Sequence, residues 1–288
     1  MAIKTYKPYT PSRRSMTGYS FSELTVSEPY KPLTKWIKSH SGRNNQWRIT
    51  SRFRWGGHKK LFRQVDWSQR DKLNIPATVS TVEYDPFRTA YISLVTYKDG
   101  EKRYVLARKG IVVGQQIVYS DKSTGDFEYG NRRPLKYIPE WMPVHNIEFT
   151  PHTKGKIIKS AGSSATVAGK DAALKIVFLK LASGELRKFN EECLATIGIV
   201  SNEEHKNIVI GKAGRQRWMW KKPFNRGKSM NPVDHPHGWW EGRTSIWLKY
   251  PKAFNGRVVA PGKKTRAKKK RSNVMIVRSE ERRVGKEC

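Results

Sequence analysis

Residues 89–107 read TAYISLVTYKDGEKRYVLA. Two runs rich in β-branched and aromatic residues, TAYISLVTY (89–97) and RYVLA (103–107), flank Lys98-Asp99-Gly100. Asp-Gly between such runs is a strong hairpin signal, because its left-handed backbone matches the twist of the flanking strands. The hairpin decides the fold class, since the segments around it repeat its character. TVEYDP (81–86) precedes it, and GIVVGQQIV (110–118) reads as the next strand, punctuated by Gly110 and Gly114.

A polar, turn-rich joint follows, SDKSTGDFEYGNRRP (120–134), and then a second β set begins. VHNIEF (144–149), KIIKSAG (156–162) and ALKIVFLKL (173–181) lead through Ser183-Gly184 to ELRKF (185–189). In 173–181 the alternation places residues 174, 176 and 178 on one face. Helical periodicity is confined to a short turn expected over NEECLATIG (190–198). Two runs of short strands, roughly 60–70 residues each, predict two small β-barrels in tandem. Each barrel is small enough to be marginal alone.

Charge bounds the function. The chain of 288 residues carries 57 Lys and Arg against 24 Asp and Glu, a net +33. Residues 1–60 hold thirteen cations against Glu23 and Glu28, and residues 61–200 hold twenty-one against fifteen acids. Residues 205–278 hold twenty against only Asp234 and Glu241. A nearly balanced centre between two basic arms requires a polyanion, and the arms bury too little apolar surface to order alone. Nucleic acid is the expected partner rather than a membrane, because no amphipathic basic helix is present to lie on lipid. Cys193 and Cys288 form no pair or cluster, which excludes a disulfide framework and a cysteine zinc site and suits a reducing, cytoplasmic setting. No run approaches the roughly 18 apolar residues of a membrane span, and the first residues lack the apolar core of a secretory signal.

MNPVDHPHGWWEGR (230–243) is the segment that most resembles a catalytic or metal site. Pro236 is expected to hold Asp234-His235-Pro236-His237 extended, directing the two imidazoles apart, and no third ligand stands at a useful spacing. Neither metal binding nor catalysis is therefore expected, and a metal-dependent hydrolase using His235 and His237 is the weaker reading. Gly56-Gly57-His58-Lys59-Lys60 lacks the Lys-Ser/Thr ending of a P-loop, so its backbone N–H groups are better suited to RNA phosphates. Lys263 to Arg271, matched by a second basic arm, reads as a nucleic-acid contact.

These strings carry a specific resemblance. GKAG-xx-RW (211–218), RG-xx-MNPVDHPHG (226–238) and EGR (241–243) resemble the bacterial-type L2 family of large-subunit ribosomal proteins. SGRNNQ-x-RIT (41–50), GGHK (56–59), EYDP-x-R (83–88), YKDGE-x-RY-x-LA (97–107), VHN-x-E (144–148) and SAG (160–162) match in the same order, so the resemblance covers about residues 2–278. It implies an OB-type barrel followed by an SH3-like barrel, with long basic extensions entering large-subunit rRNA. The expected division is a basic extension over 1–60, the OB-type barrel over 61–125, the SH3-like barrel over 126–200 and an extended arm over 201–278. The implied role is structural rather than enzymatic: assembly of the peptidyl-transferase region, subunit association and tRNA binding. The alternative is a free-standing OB-type RNA-binding protein or chaperone, which would carry solvent-facing aromatics on its barrel strands.

The resemblance, together with the basic and polar residues of these motifs, assigns the expected rRNA contacts. In the first arm and the barrels they are Arg43, Asn44, Asn45, Arg48, Arg52, His58, Lys59 and Arg88. Beyond the barrels they are Lys212, Arg215, Arg217, Trp218, Arg226, Asn231, Asp234, His235, His237 and Arg243. The tail adds Lys263, Lys264, Arg266, Lys268, Lys269, Lys270 and Arg271. Asp234 and His235 match the family's peptidyl-transferase-associated loop and take a structural role. Neighbouring ribosomal proteins are expected partners, with tRNA and the small subunit indirect ones. No cofactor is expected beyond Mg²⁺ held by the rRNA.

The tryptophans depart from the family. Its pattern after His237 is Gly-Gly-Gly-Glu-Gly-Arg, whereas this chain reads Gly238-Trp239-Trp240-Glu241. The same substitution of tryptophan for glycine falls at Trp36, Trp47, Trp55, Trp141, Trp220 and Trp247, while Trp67 and Trp218 stand at ordinary aromatic positions. One cause accounts for all eight: UGA codons translated on paper as tryptophan but decoded as glycine in the cell. Residues 279–288, SEERRVGKEC, read as a non-native addition and are set aside from fold and function.

Overall fold

The computed structural model describes residues 3–122, 127–239, 245–259, 266–267 and 269–279. Trp240, Arg243, Lys263, Lys264, Lys268 and the end of the expected non-native tail (280–288) lie outside the described residues. The chain divides into two compact units. Unit 1 comprises Met1–Ser39, His58–Lys212 and Val274–Cys288, and unit 2 comprises His40–Gly57 and Ala213–Asn273.

Unit 1 is built from antiparallel strands. Two ribbons come first: β1 (Ile3–Thr5) pairs with β2 (Thr17–Tyr19), and β3 (Thr34–Ile37) pairs with β4 (Lys60–Arg63). β5 (Pro76–Glu83), β6 (Ile92–Tyr97), β7 (Lys102–Leu106) and β8 (Gln116–Val118) then form a four-stranded sheet in the order β7-β6-β5-β8. The hairpin inferred from Asp99-Gly100 joins β6 to β7. Gly100 takes φ +84°, and its N–H donates to the Tyr97 carbonyl at 2.9 Å. Ala77, Val79, Val95, Tyr97, Val105, Ile117 and Tyr119 close the core on one face of this sheet. Only the last three residues of the expected 110–118 strand form β8, because Gly110 and Gly114 take φ +66° and +86° and turn the chain first.

The second set holds β9 (Arg132–Pro134), β10 (Pro143–His145), β11 (Ile147–Glu148), β12 (Gly155–Ile157), β13 (Ala165–Asp171), β14 (Ile176–Lys180), β15 (Leu186–Asn190), β16 (Leu194–Ile197) and β17 (Ile276–Arg278). Seven of these form one sheet in the order β17-β15-β14-β13-β10-β16-β9, and β11 pairs with β12. Its core gathers Leu135, Ile138, Val144, Val167, Val177, Leu179, Phe189 and Ile197, all buried. The fold is thus mainly β, with sheets consistent with an OB-like and an SH3-like barrel.

Three local expectations are corrected. The helical turn expected over 190–198 is the strand β16: Asn190 accepts the Glu192 N–H at 2.8 Å, making a side-chain turn that feeds a strand instead of capping a helix. Residues 144–149 are not one strand, because Asn146 at φ +48° breaks them. In β14 the core face carries Val177 and Leu179, while 176 and 178 share parity with exposed Lys180.

Several acids of unit 1 are paired internally. Glu148, fully buried, receives the Arg70 guanidinium at 2.7 Å, the Leu194 N–H at 3.2 Å and Arg132 at 3.6 Å. Arg103 reaches Asp66, Asp71 and Glu101, and Lys72 reaches Asp99 and Glu101. Arg88 is held by buried Asp85, and Lys109 by Glu203.

His145 is also fully buried, and its Nδ1–H donates to the Gly198 carbonyl at 2.9 Å. Burial pushes its pKa down to about 4 from the usual 6.5. Below pH 6.5 the unfolded chain binds a proton that the folded chain refuses, so stability falls as pH drops from 6.5 toward 4. Between pH 7 and pH 5 this group alone is expected to remove about 2 kcal/mol. Urea unfolding at the two pH values checks this: the pH-dependent loss should be smaller by about that amount in His145→Gln than in the unsubstituted chain.

Candidate nucleic-acid interface

Unit 2 has the opposite electrostatics. Its two segments carry twenty-one Lys and Arg and only Asp234 and Glu241 as acids. With so little apolar residue available, local hydrogen bonds and isolated bridges shape it rather than a core. Arg43 bridges Ile49, Arg54 bridges Lys221, and Lys252 bridges Val258. Asn44 accepts the backbone N–H groups of Gln46 and Arg48 at 3.0 Å each, which folds 44–48 into a tight loop beside Asn45. A six-residue helix, Ala213–Trp218, carries Arg215, Arg217 and Trp218.

The segment 230–238 does not run extended, contrary to the reading of Pro236. The Asp234 and His235 N–H groups donate to the Asn231 carbonyl at 3.0 and 3.2 Å, and the Gly238 N–H donates to the His235 carbonyl at 2.8 Å. Proline fixes φ near −65° but leaves ψ free, and that φ suits the second position of a β-turn. The turn brings the two imidazoles together, with ring centroids 4.7 Å apart. His235 Nδ1 accepts the His237 N–H at 3.0 Å, and His237 Nε2 accepts the Lys252 N–H at 2.8 Å. Both histidines therefore spend a ring nitrogen on backbone geometry. Burial lowers the His235 pKa, with help from His237 and Arg52, and the bond from the His237 N–H requires an unprotonated Nδ1. The loop is close-packed: a Cβ on Gly238 would lie 2.4 Å from the Asn231 carbonyl carbon. Among the described residues no group of three His, Cys, Asp or Glu could hold a metal ion.

Most of the residues singled out from sequence fall in unit 2. These include Arg43, Asn44, Asn45, Arg48 and Arg52 in its first segment, and Arg226, Asn231, Asp234, His235 and His237 in its second. Lys269, Lys270 and Arg271 also belong to it, as does Arg266, which donates to Asn273 and Ser272. His58, Lys59, Arg88 and Lys212 belong to unit 1. There Lys59 lies over the Trp36 ring at 5.9 Å, and Arg88 stacks on Trp67 at 4.9 Å while paired with Asp85. Arg43, Arg52 and Asp234 converge on one cavity that Phe53, Lys222 and Phe254 also line. The last three were missed by sequence reasoning. The signal available for one of them was the alternation Arg52-Phe53-Arg54, a basic–aromatic interleaving typical of nucleic-acid surfaces.

Backbone geometry singles out four of the tryptophans. Trp47, Trp141, Trp220 and Trp247 have φ between +47° and +66°, a region in which a bulky side chain is an outlier. All four belong to the eight positions where glycine is expected, but Trp36, Trp55 and Trp239 of that set, like Trp67 and Trp218, have no positive φ. Trp67 packs against a buried cluster and lies under Lys159 at 4.1 Å. By contrast Trp141 is 76% exposed and Trp247 74%, so neither gains burial to offset its strain. Around Trp220 the fit is tight for another reason: a Cβ on Gly57 would lie 2.5 Å from its ring.

Antiparallel β-sheets of barrel type, together with a unit of almost one charge sign, define a class of basic β-rich protein suited to nucleic acid. Residues 30–119 match the family described as Ribosomal Proteins L2, RNA binding N-terminal domain, and residues 128–256 match Ribosomal Proteins L2, C-terminal domain. The chain belongs to the L2 family of ribosomal proteins, whose role is structural and whose N-terminal domain binds RNA.

Mass spectrometry of the protein purified from its own source tests the tryptophan account. Peptides are expected to carry glycine at 36, 47, 55, 141, 220, 239, 240 and 247, and tryptophan at 67 and 218. Tryptophan masses at 239 and 240 would remove the recoding explanation.

Proposed function

We propose that this chain is a structural constituent of the large ribosomal subunit that binds large-subunit rRNA. In that role it supports assembly of the peptidyl-transferase region, subunit association and tRNA binding. The observation that carries the reading is the separation of charge: unit 1 holds nearly all the acids and pairs several of them internally, while unit 2 keeps twenty-one cations against two acids. A surface of that sign gains free energy by displacing counterions from a phosphate backbone. The contacts assigned from sequence, with the basic segments 1–60 and 201–278, are the parts that would lie against rRNA. Neighbouring ribosomal proteins are direct partners, and tRNA and the small subunit are reached indirectly. The only metal in this reading is Mg²⁺ carried by the RNA. Asp234 and His235 hold the shape of the 230–238 loop and take no part in proton transfer.

The free-standing OB-type binder is the weaker reading. It relies on aromatics facing solvent from the barrel strands, whereas Tyr97 and Tyr104 of the four-stranded sheet are buried.

Two measurements test this function. Affinity for a large-subunit rRNA fragment should fall by at least about 10³ between 50 and 200 mM salt, with a slope of about −0.7 to −0.9 per neutralised phosphate. An affinity independent of salt contradicts the proposal. His235→Ala should reduce incorporation into large subunits or tRNA binding by the assembled particles, because the loop loses the acceptor for the His237 N–H. Normal assembly and tRNA binding combined with loss of a kinetic step titrating near neutral pH would instead revive a catalytic role.

A further inference from the structure

The cavity shared by Arg43, Arg52, Phe53, Lys222, Asp234 and Phe254 encloses about 510 Å³, within the range of a small-ligand site. Its chemistry is divided. Arg43, Arg52 and Lys222 supply positive charge, and among the described residues none of the three has a carboxylate at ion-pair distance. Arg52 is already shaped as a platform: its guanidinium carbon lies 4.3 Å from the centre of the Phe254 ring and 5.4 Å from that of Phe53. Phe254 is 54% exposed, a large apolar ring left facing solvent beside the cavity.

Phe53 adds an independent sign. Its backbone takes φ +61°, a strained choice for an aromatic residue. The strain is held in place: the Phe53 carbonyl accepts the Lys222 N–H at 2.9 Å, and its ring meets Phe224 edge-on at 4.9 Å. The conformation thus fixes an aromatic ring and a lysine-bearing segment together at the cavity wall. Among the described residues that line the cavity Asp234 contributes the only carboxylate, and a carboxylate accepts two parallel N–H donors.

We propose that this cavity receives one unstacked nucleotide of the rRNA, its base laid on the Phe254–Arg52 platform and its phosphate held by Arg43 and Lys222, with Asp234 selecting guanine. Guanine matches Asp234 because its ring N–H and its exocyclic amino group are adjacent donors, whereas uracil offers a single ring N–H between two acceptors. Single-stranded RNA is characteristically read in this way, by splayed bases stacked on aromatic or guanidinium planes and bonded along their Watson–Crick edges. The six residues suffice whether position 55, which also borders the cavity, carries tryptophan or glycine. The assignment rests on the rRNA-binding role proposed above and names a subsite within it.

Three labelled RNA pentanucleotides of equal charge, bound to the full chain at one salt concentration and followed by fluorescence anisotropy, test the subsite. Their centres are guanosine, uridine and an abasic ribose between flanking uridines. The guanosine form should bind about tenfold more tightly than the abasic form, and at least about fivefold more tightly than the uridine form. Phe254→Ala should abolish the advantage over the abasic form, and Asp234→Asn the preference for guanine. Equal affinity of the unsubstituted chain for the guanosine and abasic forms overturns the subsite without requiring any variant to fold. In that event, continued salt-dependent binding of the large-subunit rRNA fragment would leave the broader rRNA-binding role intact.

Discussion

Electroneutrality is the constraint on which this structure depends. Twenty-four carboxylates cannot balance fifty-seven lysines and arginines, so the fold has to choose where its acids are used. It uses them in the barrels. Glu148 is buried among Arg70, Arg132 and the Leu194 N–H, and Arg103 is shared by three carboxylates. A buried carboxylate with one partner removed is expensive, typically 3–5 kcal/mol, so such a network sets the geometry of the strands that carry it. What remains for unit 2 is Asp234, Glu241 and a large surplus of positive charge. Its structure is correspondingly made of turns and single bridges, which hold a shape but bury little.

Within unit 2 the two histidines illustrate how such a segment is stabilised. A ring nitrogen of each accepts a backbone N–H, and burial beside His237 and Arg52 lowers the His235 pKa in the same sense. Charge there would repel its surroundings and break the bond from His237. The residues that look catalytic in a linear reading thus each commit a ring nitrogen to the backbone. The strained tryptophans point the same way. Left-handed backbone at 47, 141, 220 and 247 is a shape made for glycine, retained although the side chain drawn there gains no burial at 141 or 247.

Much of the β architecture was legible because its signals are local. Asp99-Gly100 between two β-rich runs fixed a hairpin, and alternation placed the strands around it. Strand β13 escaped notice because its residues are small and its register shifts between Val167 and Gly169, which blurs the alternation. Strand β16 was mistaken for a helical turn because Asn190-Glu191-Glu192 has the composition of a helix start, and only burial of Leu194 to Ile197 on neighbouring strands decides otherwise. At the interface, residue types were legible but their arrangement was not. Asp234 is far in sequence from Arg43 and Arg52, and nothing local shows that Arg54 bridges Lys221. Pro236 misled because a fixed φ was taken for an extended path, whereas ψ and the Gly238 N–H made a turn.

The central claim is that the barrels are complete in themselves while unit 2 is stabilised by an RNA partner. Amide hydrogen exchange on the full chain, with and without a large-subunit rRNA fragment, tests it most directly. Without RNA the amides of Val95 and Val177 in the sheets should exchange slowly and those of His235, His237 and Lys252 quickly. Adding RNA should slow the second group and leave the first unchanged. Unit 2 amides as protected as the sheets in the absence of RNA, or RNA-induced protection confined to β5–β8, would contradict the account.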